Sequence, residues 1–514
     1  MTSTSHDQSD EFAGTWTQSV SPQPVGSSGS SESLEASAEA SAESAYPGGS
    51  EFRGASEPAN SPELTKSPER NVSHEPPEAA TSPVPSEPTS APAPSVSSDD
   101  GSWRRNVYLF LFSQFATGIT SMIVQYGIIW YLTQQSGSAT ILSLATLVAM
   151  LPSVLISPFI GTFVDRWNKK ALLIVPDMIA AAAAIVLSIV GTVHHGFPLW
   201  LVFAALLVRS MAQAFQMPTI QSMLPTMVPK QQITKINGTL GMVNSATMIV
   251  SPALGALLYG FIPINYLILT DVLGAFIGLG VLLFVRIVSN VGGIVDKPHV
   301  WVDAVFGFRR IATAHGLWSI ILIGAFSTLM FMPAASLYPL MTLGYFKGTV
   351  FQAGVVEVLW SAGSLAGGAV IGAFGVWKDR MVPTIWGIAL LGVAFVACAF
   401  LPGNMTGFVV FAVLNALAGL AISFPGTLTM AMIQESFPAQ ELGRVFGVCL
   451  ALSNAAGPIG LLFAGPVGDA IGVQWVFAIS GGGAVVCGLL MFTVPAARWY
   501  DRHLHDRLVS DVGE

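Results

Sequence analysis

Four ionisable side chains interrupt long apolar runs of the sequence, and any proton chemistry would be expected there. They are Asp177, Arg209, Asp271 and Glu357. A charge surrounded by apolar chain costs several kcal/mol unless it faces a cavity or a partner. A carboxylate in such a place can bind and release a proton, so we predict proton coupling at these residues. The alternative is that each acid is a satisfied structural group and that Arg209 forms a structural ion pair.

Polar side chains recur at helical spacing in three apolar runs, where each set would share one helix face. They are Gln114, Thr117, Ser121 and Gln125 in the first run, Gln213 and Gln216 in the second, and Asn415 and Ser423 in the third. We predict that these faces line a substrate cavity. Polar contacts that hold neighbouring helices together are the alternative interpretation.

A polar break in the sequence carries the pattern G-x-x-x-D-R-x-x-K-K, formed by Gly161, Asp165, Arg166, Lys169 and Lys170. Glycine allows two helices to approach closely. The aspartate can hold neighbouring helix ends or basic groups in one conformation, and the cations can anchor at a membrane surface. We therefore predict a conformational gate here, with an ordinary basic turn as the alternative.

A shorter copy of this pattern occurs at Gly375, Asp379 and Arg380, without the trailing basic pair. The two aspartates, at positions 165 and 379, are 214 residues apart, which is about half of the apolar part of the chain. This spacing predicts an internal repeat of two parallel halves with a site between them.

A proline-containing segment, Ser251, Pro252 and Gly255, resembles the G-P-x-x-G-G motif of antiporters, with Ser251 in place of the first glycine and Ala256 in place of the last. Proline and glycine kink a helix and let it pack tightly. Because both residues are common in membrane helices, the alternative interpretation is an ordinary helix kink with no role in antiport.

The elements that carry these residues are apolar segments of membrane-spanning length. The chain is 52% hydrophobic and only 10% charged, whereas a soluble domain carries about 25% charged residues. A bilayer core needs about 20 apolar residues in a helix. The sequence predicts twelve such helices, over residues 107–132, 140–163, 171–193, 199–222, 238–260, 266–286, 317–341, 354–376, 382–401, 407–430, 445–465 and 473–495. The least distinct breaks lie near Pro263 and Asp469.

The longest charged break separates the sixth and seventh segments and divides the chain into two sets of six helices. We expect an all-α membrane protein with five parts. They are a disordered tail over 1–102, a six-helix half over 103–287, a linker over 288–316 with an amphipathic helix at 302–311, a second half over 317–497 and a C-terminal tail over 498–514.

The distribution of Lys and Arg gives the orientation, because these residues are retained on the cytoplasmic side. If the N-terminal tail is cytoplasmic, 17 Lys and Arg residues fall on the inner side and only Lys347 on the outer side. The sequence therefore predicts an inner-membrane protein with both termini in the cytoplasm.

The N-terminal 102 residues differ from the rest of the chain. They hold 16 of the 30 acidic residues and 3 of the 22 basic ones, with many Ser, Pro and Ala residues. Such a segment buries too little apolar surface to offset the entropy of ordering, so we predict disorder. An interaction arm is the alternative.

Neither metal nor covalent chemistry is indicated. Cys398, Cys449 and Cys487 lie in apolar runs without ligand spacing, and His194 and His195 share one short loop. The sequence contains no Gly-Lys dipeptide and hence no P-loop. We expect no cofactor, no metal and no enzymatic activity.

Across about residues 103–500 the chain resembles the macrolide efflux (Mef-type) drug exporters of the major facilitator superfamily. The matching segments are residues 131–139, Leu151-Pro152, Asp165-Arg166, Asp177, Arg209-Ser210, residues 251–253, residues 271–275, Glu357 and residues 442–446.

The resemblance implies export of hydrophobic drugs, macrolides among them, driven by the proton motive force through alternating access. It also implies a central cavity lined by the first, fourth, seventh and tenth helices, and a role for Arg209 like that of the buried Arg in the fourth helix of drug/proton antiporters. The expected partners are a small hydrophobic or amphiphilic substrate, protons and the lipid bilayer. We expect no nucleic-acid partner, and we expect the protein to be a monomer. Export of a siderophore, lipid or peptide, or a non-transporting sensor, is the alternative.

Overall fold

The structure is a computed structural model that describes residues 102–285 and 300–505, except residues 376 and 378. All regular elements in these ranges are helical. The predicted tail over 1–102 lies outside the described residues apart from Ser102, as does most of the predicted linker.

The first half of the molecule is built from long helices joined by short turns. They are α1 (Ser102–Ser136), α2 (Ala139–Arg166), α3 (Lys169–Val193), α4 (Leu199–Met227), α5 (Ile233–Phe261), the short α6 (Ile264–Ile268) and α7 (Thr270–Phe284). The sixth predicted helix is therefore made of two pieces, α6 and α7, which meet at Leu269.

A short helix, α8 (Val300–Thr313), precedes the second half and covers the segment that we expected to be amphipathic. The second half contains α9 (His315–Leu340), α10 (Val350–Phe374), α11 (Met381–Ala399), α12 (Met405–Ser436), α13 (Ala439–Ile471), α14 (Val473–Thr493) and α15 (Pro495–Arg498). A π-helical turn, Met341–Tyr345, extends α9.

Twelve helices of the described part are long and apolar enough to cross a membrane, with α6 and α7 counted as one. The predicted all-α fold with twelve membrane helices is thus confirmed. The break that we expected near Asp469 is displaced along the chain. Asp469 lies inside the last turn of α13, and the break falls at Gly472, whose φ of 96° suits glycine.

Local sequence signals fix several helix starts. Asn168 caps α3, since its side-chain oxygen accepts hydrogen bonds from the backbone N–H groups of Lys170 (2.9 Å) and Ala171 (3.4 Å). Thr349 and Gln352 form a reciprocal capping box at the start of α10. These caps satisfy N–H groups that a helix end would otherwise leave unpaired.

The side chains that face away from the bundle are apolar. Phe261, Phe284 and Trp386 are at least 70% exposed. Such a surface is stable against lipid, because the bilayer core offers no hydrogen-bonding partners to polar groups. The protein is therefore a multi-pass membrane protein.

The bundle has two ends, which we call the linker end and the distal end. The linker end holds α8 and the turn between α2 and α3. The distal end holds the turns between α1 and α2 and between α13 and α14.

Candidate functional site

A buried ion pair lies at the centre of the first half. Arg209 of α4 donates a hydrogen bond to the carboxylate of Asp271 in α7, and the two residues are 2% and 5% exposed. The guanidinium also donates to the carbonyl and hydroxyl oxygens of Ser121 in α1, at 2.9 and 3.0 Å. The structure therefore brings three of the predicted residues into one contact network.

Two glutamines extend this network along α4. Gln213 donates to the Ser121 hydroxyl at 3.3 Å. Gln216 donates to a carboxylate oxygen of Asp177 in α3, at 3.0 Å. Asp177 also lies against α7, the helix that carries Asp271, because a Cβ atom added to Gly278 would lie 4.0 Å from its carboxylate. We call Asp177, Arg209, Asp271, Ser121 and the two glutamines the charged network.

The third predicted acid lies elsewhere. Glu357 of α10 accepts a hydrogen bond from the hydroxyl of Tyr126 in α1, at 2.8 Å. This bond joins the first half to the second. Tyr126 was not among the predicted site residues, although its spacing of four from Trp130 places both rings on one helix face, where they stack.

The predicted cavity residues separate into different places. Ser121, Gln213 and Gln216 belong to the charged network. Asn415 lines a cavity of about 80 Å³ together with Glu357, Tyr338 and Trp360. Gln114 is buried and donates to its neighbour Ser113, at a long 3.4 Å, and Gln125 is half-buried in α1.

Ser423 lines a larger cavity, of about 820 Å³, between α5, α10 and α12. Its hydroxyl donates to the carbonyl of Ser364 at 2.8 Å. The same cavity reaches Gln434, two residues before the linker end of α12. Both halves contribute to its walls, since Met248 of α5 also lines it.

The antiporter-like motif lies where the halves meet. A Cβ atom added to Gly354 of α10 would collide with the Cβ of Ala256, one turn after Pro252 in α5. Ser251 is fully buried, and Gly255 packs against Trp130. The small residues of this segment thus allow close contact between α5 and α10.

The first motif predicted to form a gate contacts two helix ends at the linker end. The ammonium of Lys169 donates to the carbonyl of Ser222 in α4 at 3.0 Å, and that of Lys170 donates to the carbonyl of Val285, after α7, at 3.4 Å. Cations are favourable at the carboxyl ends of helices. Gly161, Asp165 and Arg166 lie in α2, but their side chains lie outside the described part.

The second motif predicted to form a gate belongs to an ion network within the second half. Gly375 follows the last residue of α10. Asp379 accepts hydrogen bonds from Arg498 and Arg502, both at 3.0 Å. Arg380 donates to Asp501 at 2.9 Å from Nε and to Glu435 at 2.8 and 2.6 Å.

The C-terminal partners of this network were not predicted, because no spacing in the sequence links them to residue 380. Among the residues that the structure describes, no group of three His, Cys, Asp or Glu side chains is placed to hold a metal ion.

Two helical halves, a buried charged network and a cavity walled by both halves define a transporter of the repeat-based type. The sequence profile of the Major Facilitator Superfamily matches residues 110–411 and 337–507. The chain belongs to this superfamily.

Its relatives include Macrolide efflux protein A of Streptococcus pyogenes, which is 35% identical over 74% of this chain and 93% of the relative. The multidrug efflux pump Tap of Mycobacterium tuberculosis (strain ATCC 25618 / H37Rv) is 27% identical over 77% of this chain and 95% of the relative. The Mef-type resemblance is thereby confirmed.

Solved structures show the same fold. The nucleoside transporter NupG matches with a TM-score of 0.62 and 14% identity, over 76% of this chain and 99% of that chain. A bacterial homologue of the iron transporter ferroportin, in an inward-facing state, matches with a TM-score of 0.60 and 15% identity, over 76% and 98%.

Proposed function

We propose that the protein exports hydrophobic drugs of the macrolide type, driven by the proton motive force through drug/proton antiport. The relatives named for macrolide and multidrug efflux support the drug class, because they match this chain along nearly their whole length. The observation that carries the proton part of the proposal is the charge balance of the network around Arg209.

The charged network holds two carboxylates, Asp177 and Asp271, and one guanidinium, Arg209. An unbalanced charge inside a membrane protein is costly. One bound proton makes the network neutral, and we place it on Asp177, since Asp271 already pairs with Arg209. Loss of that proton leaves the network with one net negative charge. A change of conformation can stabilise this charge by admitting water to the network.

The contacts between the halves support alternating access. At the distal end, Asp469 of α13 accepts hydrogen bonds from residues at the start of α2, and Gly354 packs on Ala256. The cavity of about 820 Å³ reaches instead toward the linker end. If the linker end is cytoplasmic, as the Lys and Arg distribution predicts, this is an inward-open state.

The energy available is sufficient for useful export. One proton that crosses a potential of ~150 mV releases roughly 3.4 kcal/mol. Because about 1.4 kcal/mol corresponds to a tenfold ratio, one proton supports a drug gradient of several hundredfold.

Drug-susceptibility profiling of a susceptible host tests the proposal. Expression of the protein should raise resistance to macrolides, and an uncoupler should abolish drug exclusion. The Asp177→Asn variant should insert normally and lose exclusion. Resistance that is equally strong with the uncoupler would reject proton coupling.

Deletion of residues 1–100 separates an exporter from a sensor. An exporter should keep its activity without the tail, because the cavity and the charged network lie in the described helices. A sensor that signals through its tail should lose function.

A further inference from the structure

The cavity of about 820 Å³ has a polar wall on α10 and α12. Its volume is in the range of cavities that hold a drug-sized ligand. Ser361 and Ser364 lie on the same face of α10, and Ser423 of α12 completes the wall. We call these residues the serine wall. Among the described residues that line the cavity, none carries a charge. Hydrogen bonds rather than ion pairs must therefore orient a ligand in this cavity.

The hydroxyl proton of Ser361 is held by the first half of the protein. Ser361 donates a hydrogen bond to the backbone carbonyl of Met248 in α5, at 3.3 Å. In a regular helix this carbonyl would accept a hydrogen bond from the N–H of the residue at position 252. That residue is Pro252, which has no N–H. The proline of the antiporter-like motif thus frees a carbonyl, and Ser361 supplies its donor.

The other hydroxyl protons of the serine wall are engaged as well. Ser423 donates to the carbonyl of Ser364 at 2.8 Å, and the hydroxyl oxygens of these residues are 3.3 Å apart. Because the proton of Ser423 is directed to that carbonyl, Ser364 is the donor between the hydroxyl groups. A hydroxyl group has one proton and two lone pairs. The serine wall therefore offers a ligand lone pairs and no protons.

We propose that the serine wall accepts hydrogen bonds from hydroxyl groups of the exported drug. The inference rests on the proposed function and narrows its substrates to amphiphiles that carry a polyhydroxyl group such as a sugar. Trp360 also lines the cavity and supplies aromatic surface against which a sugar ring can pack. A carboxylate or an ether in the same place can only accept hydrogen bonds, so the serine wall disfavours it.

Binding of a small glycoside to the full-length protein in lipid nanodiscs tests the inference. Phenyl β-D-glucopyranoside has hydroxyl donors on its sugar, and its fully O-methylated derivative keeps the oxygens and has no donor. Each lost hydrogen bond should weaken binding about two- to tenfold. The wild type should therefore bind the glucoside at least about tenfold more tightly than the derivative. Equal affinity of the wild type for both compounds would overturn the inference.

Substitutions in the serine wall separate hydrogen bonding from the bulk of the added methyl groups. Ser361→Ala combined with Ser364→Ala removes both acceptors of α10 and enlarges the cavity, so the preference for the glucoside should fall to about twofold or less. Ser423→Ala, a smaller change on α12, should lower the preference in the same direction. A preference that stays at the wild-type level in these folded variants would refute the inference.

Two control variants should keep the preference for the glucoside. Ser361→Thr retains the hydroxyl group at this position of the serine wall. Ser245→Ala removes a hydroxyl group from the same cavity, but on α5 and outside the serine wall. Loss of the preference in the Ser245→Ala protein would show that the serine wall is not what recognises the sugar.

The glucoside also separates this inference from the proposed function. If the protein confers no macrolide resistance and yet binds the glucoside in a way that depends on the serine wall, the assignment of the wall stands and the export of macrolides is wrong. If the protein exports macrolides but the double alanine variant keeps the full preference for the glucoside, the assignment of the wall is wrong.

Discussion

The carboxylate of Asp469 accepts a hydrogen bond from the backbone N–H of Ala139, at 2.6 Å, across the boundary between the two halves. It also accepts hydrogen bonds from the N–H of Thr140 at 3.0 Å and the hydroxyl of Ser138 at 2.8 Å. Asp469 therefore caps the start of α2 from another helix. This cap is a contact that must break if the distal end opens.

We predict that Asp469→Ala shifts the protein toward a distal-open state. Loss of a helix cap costs about 1 kcal/mol, which changes a population ratio about fivefold. Spin labels at Leu199 and Met405, two exposed distal positions in different halves, would measure the change as longer distances in a background without the three cysteines.

Two controls make this measurement specific. Asp469→Asn should have a smaller effect, because asparagine also caps helices well. Labels at Lys235 and Gln434, exposed positions near the linker end, should show shorter distances in the Asp469→Ala protein. An unchanged distal distribution would contradict the assignment of Asp469 as a gate contact.

Substitutions in the pair of Arg209 and Asp271 should distinguish what the pair contributes to protein stability from what it contributes to transport. Asp271→Asn leaves the buried guanidinium without its counter-charge, which costs about 3–5 kcal/mol and should lower the melting temperature of the purified protein. Arg209→Met combined with Asp271→Asn removes both charges and should recover most of that stability.

Transport measurements on the same proteins decide between a structural pair and a coupling pair. If the pair serves coupling, the double variant should remain stable and fail to build a drug gradient. Full transport by a stable double variant would show that the pair is only structural. Substitution of the half-buried Glu441 by Gln provides the matched control, since its partner Arg310 is exposed and such surface ion pairs contribute little.

Asp177 should control proton movement rather than drug binding. Its contact with Gln216 and its proximity to Asp271 place it in the network but outside the cavities described above. Asp177→Asn should bind drug within about twofold of wild type and release no proton when drug is added to the purified protein. Gln216→Leu removes the neighbouring amide without removing the carboxylate, so it should retain proton release. Drug-induced proton release by Asp177→Asn would exclude Asp177 as the carrier.

Much of the fold could be predicted from the sequence, because membrane spans follow from apolar length alone. The twelve helices and the short helix at Val300–Thr313 match the apolar and amphipathic segments. Helix ends were less well predicted. The helices α1 and α12 run past their apolar cores to Ser136 and Ser436, since a helix continues beyond the bilayer until a cap or turn ends it.

The site was only partly predictable. Intramembrane charge identified Asp177, Arg209, Asp271 and Glu357, because burial in lipid makes any ionisable residue conspicuous. The sequence could not show that Arg209 pairs with Asp271 and that Glu357 lies apart from them. Nor could it identify Tyr126 or Asp469, whose partners are 231 and 330 residues away in the chain.

The network around Arg380 predicts that the C-terminal residues stabilise the linker end of the second half. Asp501 is 3% exposed and accepts hydrogen bonds from the backbone N–H of Arg380 at 2.6 Å and from its Nε at 2.9 Å. Asp501→Ala leaves these partly buried donors without their acceptor, so it should cost about 1–3 kcal/mol. Hydrogen exchange should accelerate at residues 495–505 and at the start of α11, and remain unchanged in the first half. If exchange in these segments matches the wild type, the C-terminal residues do not hold the turn after α10.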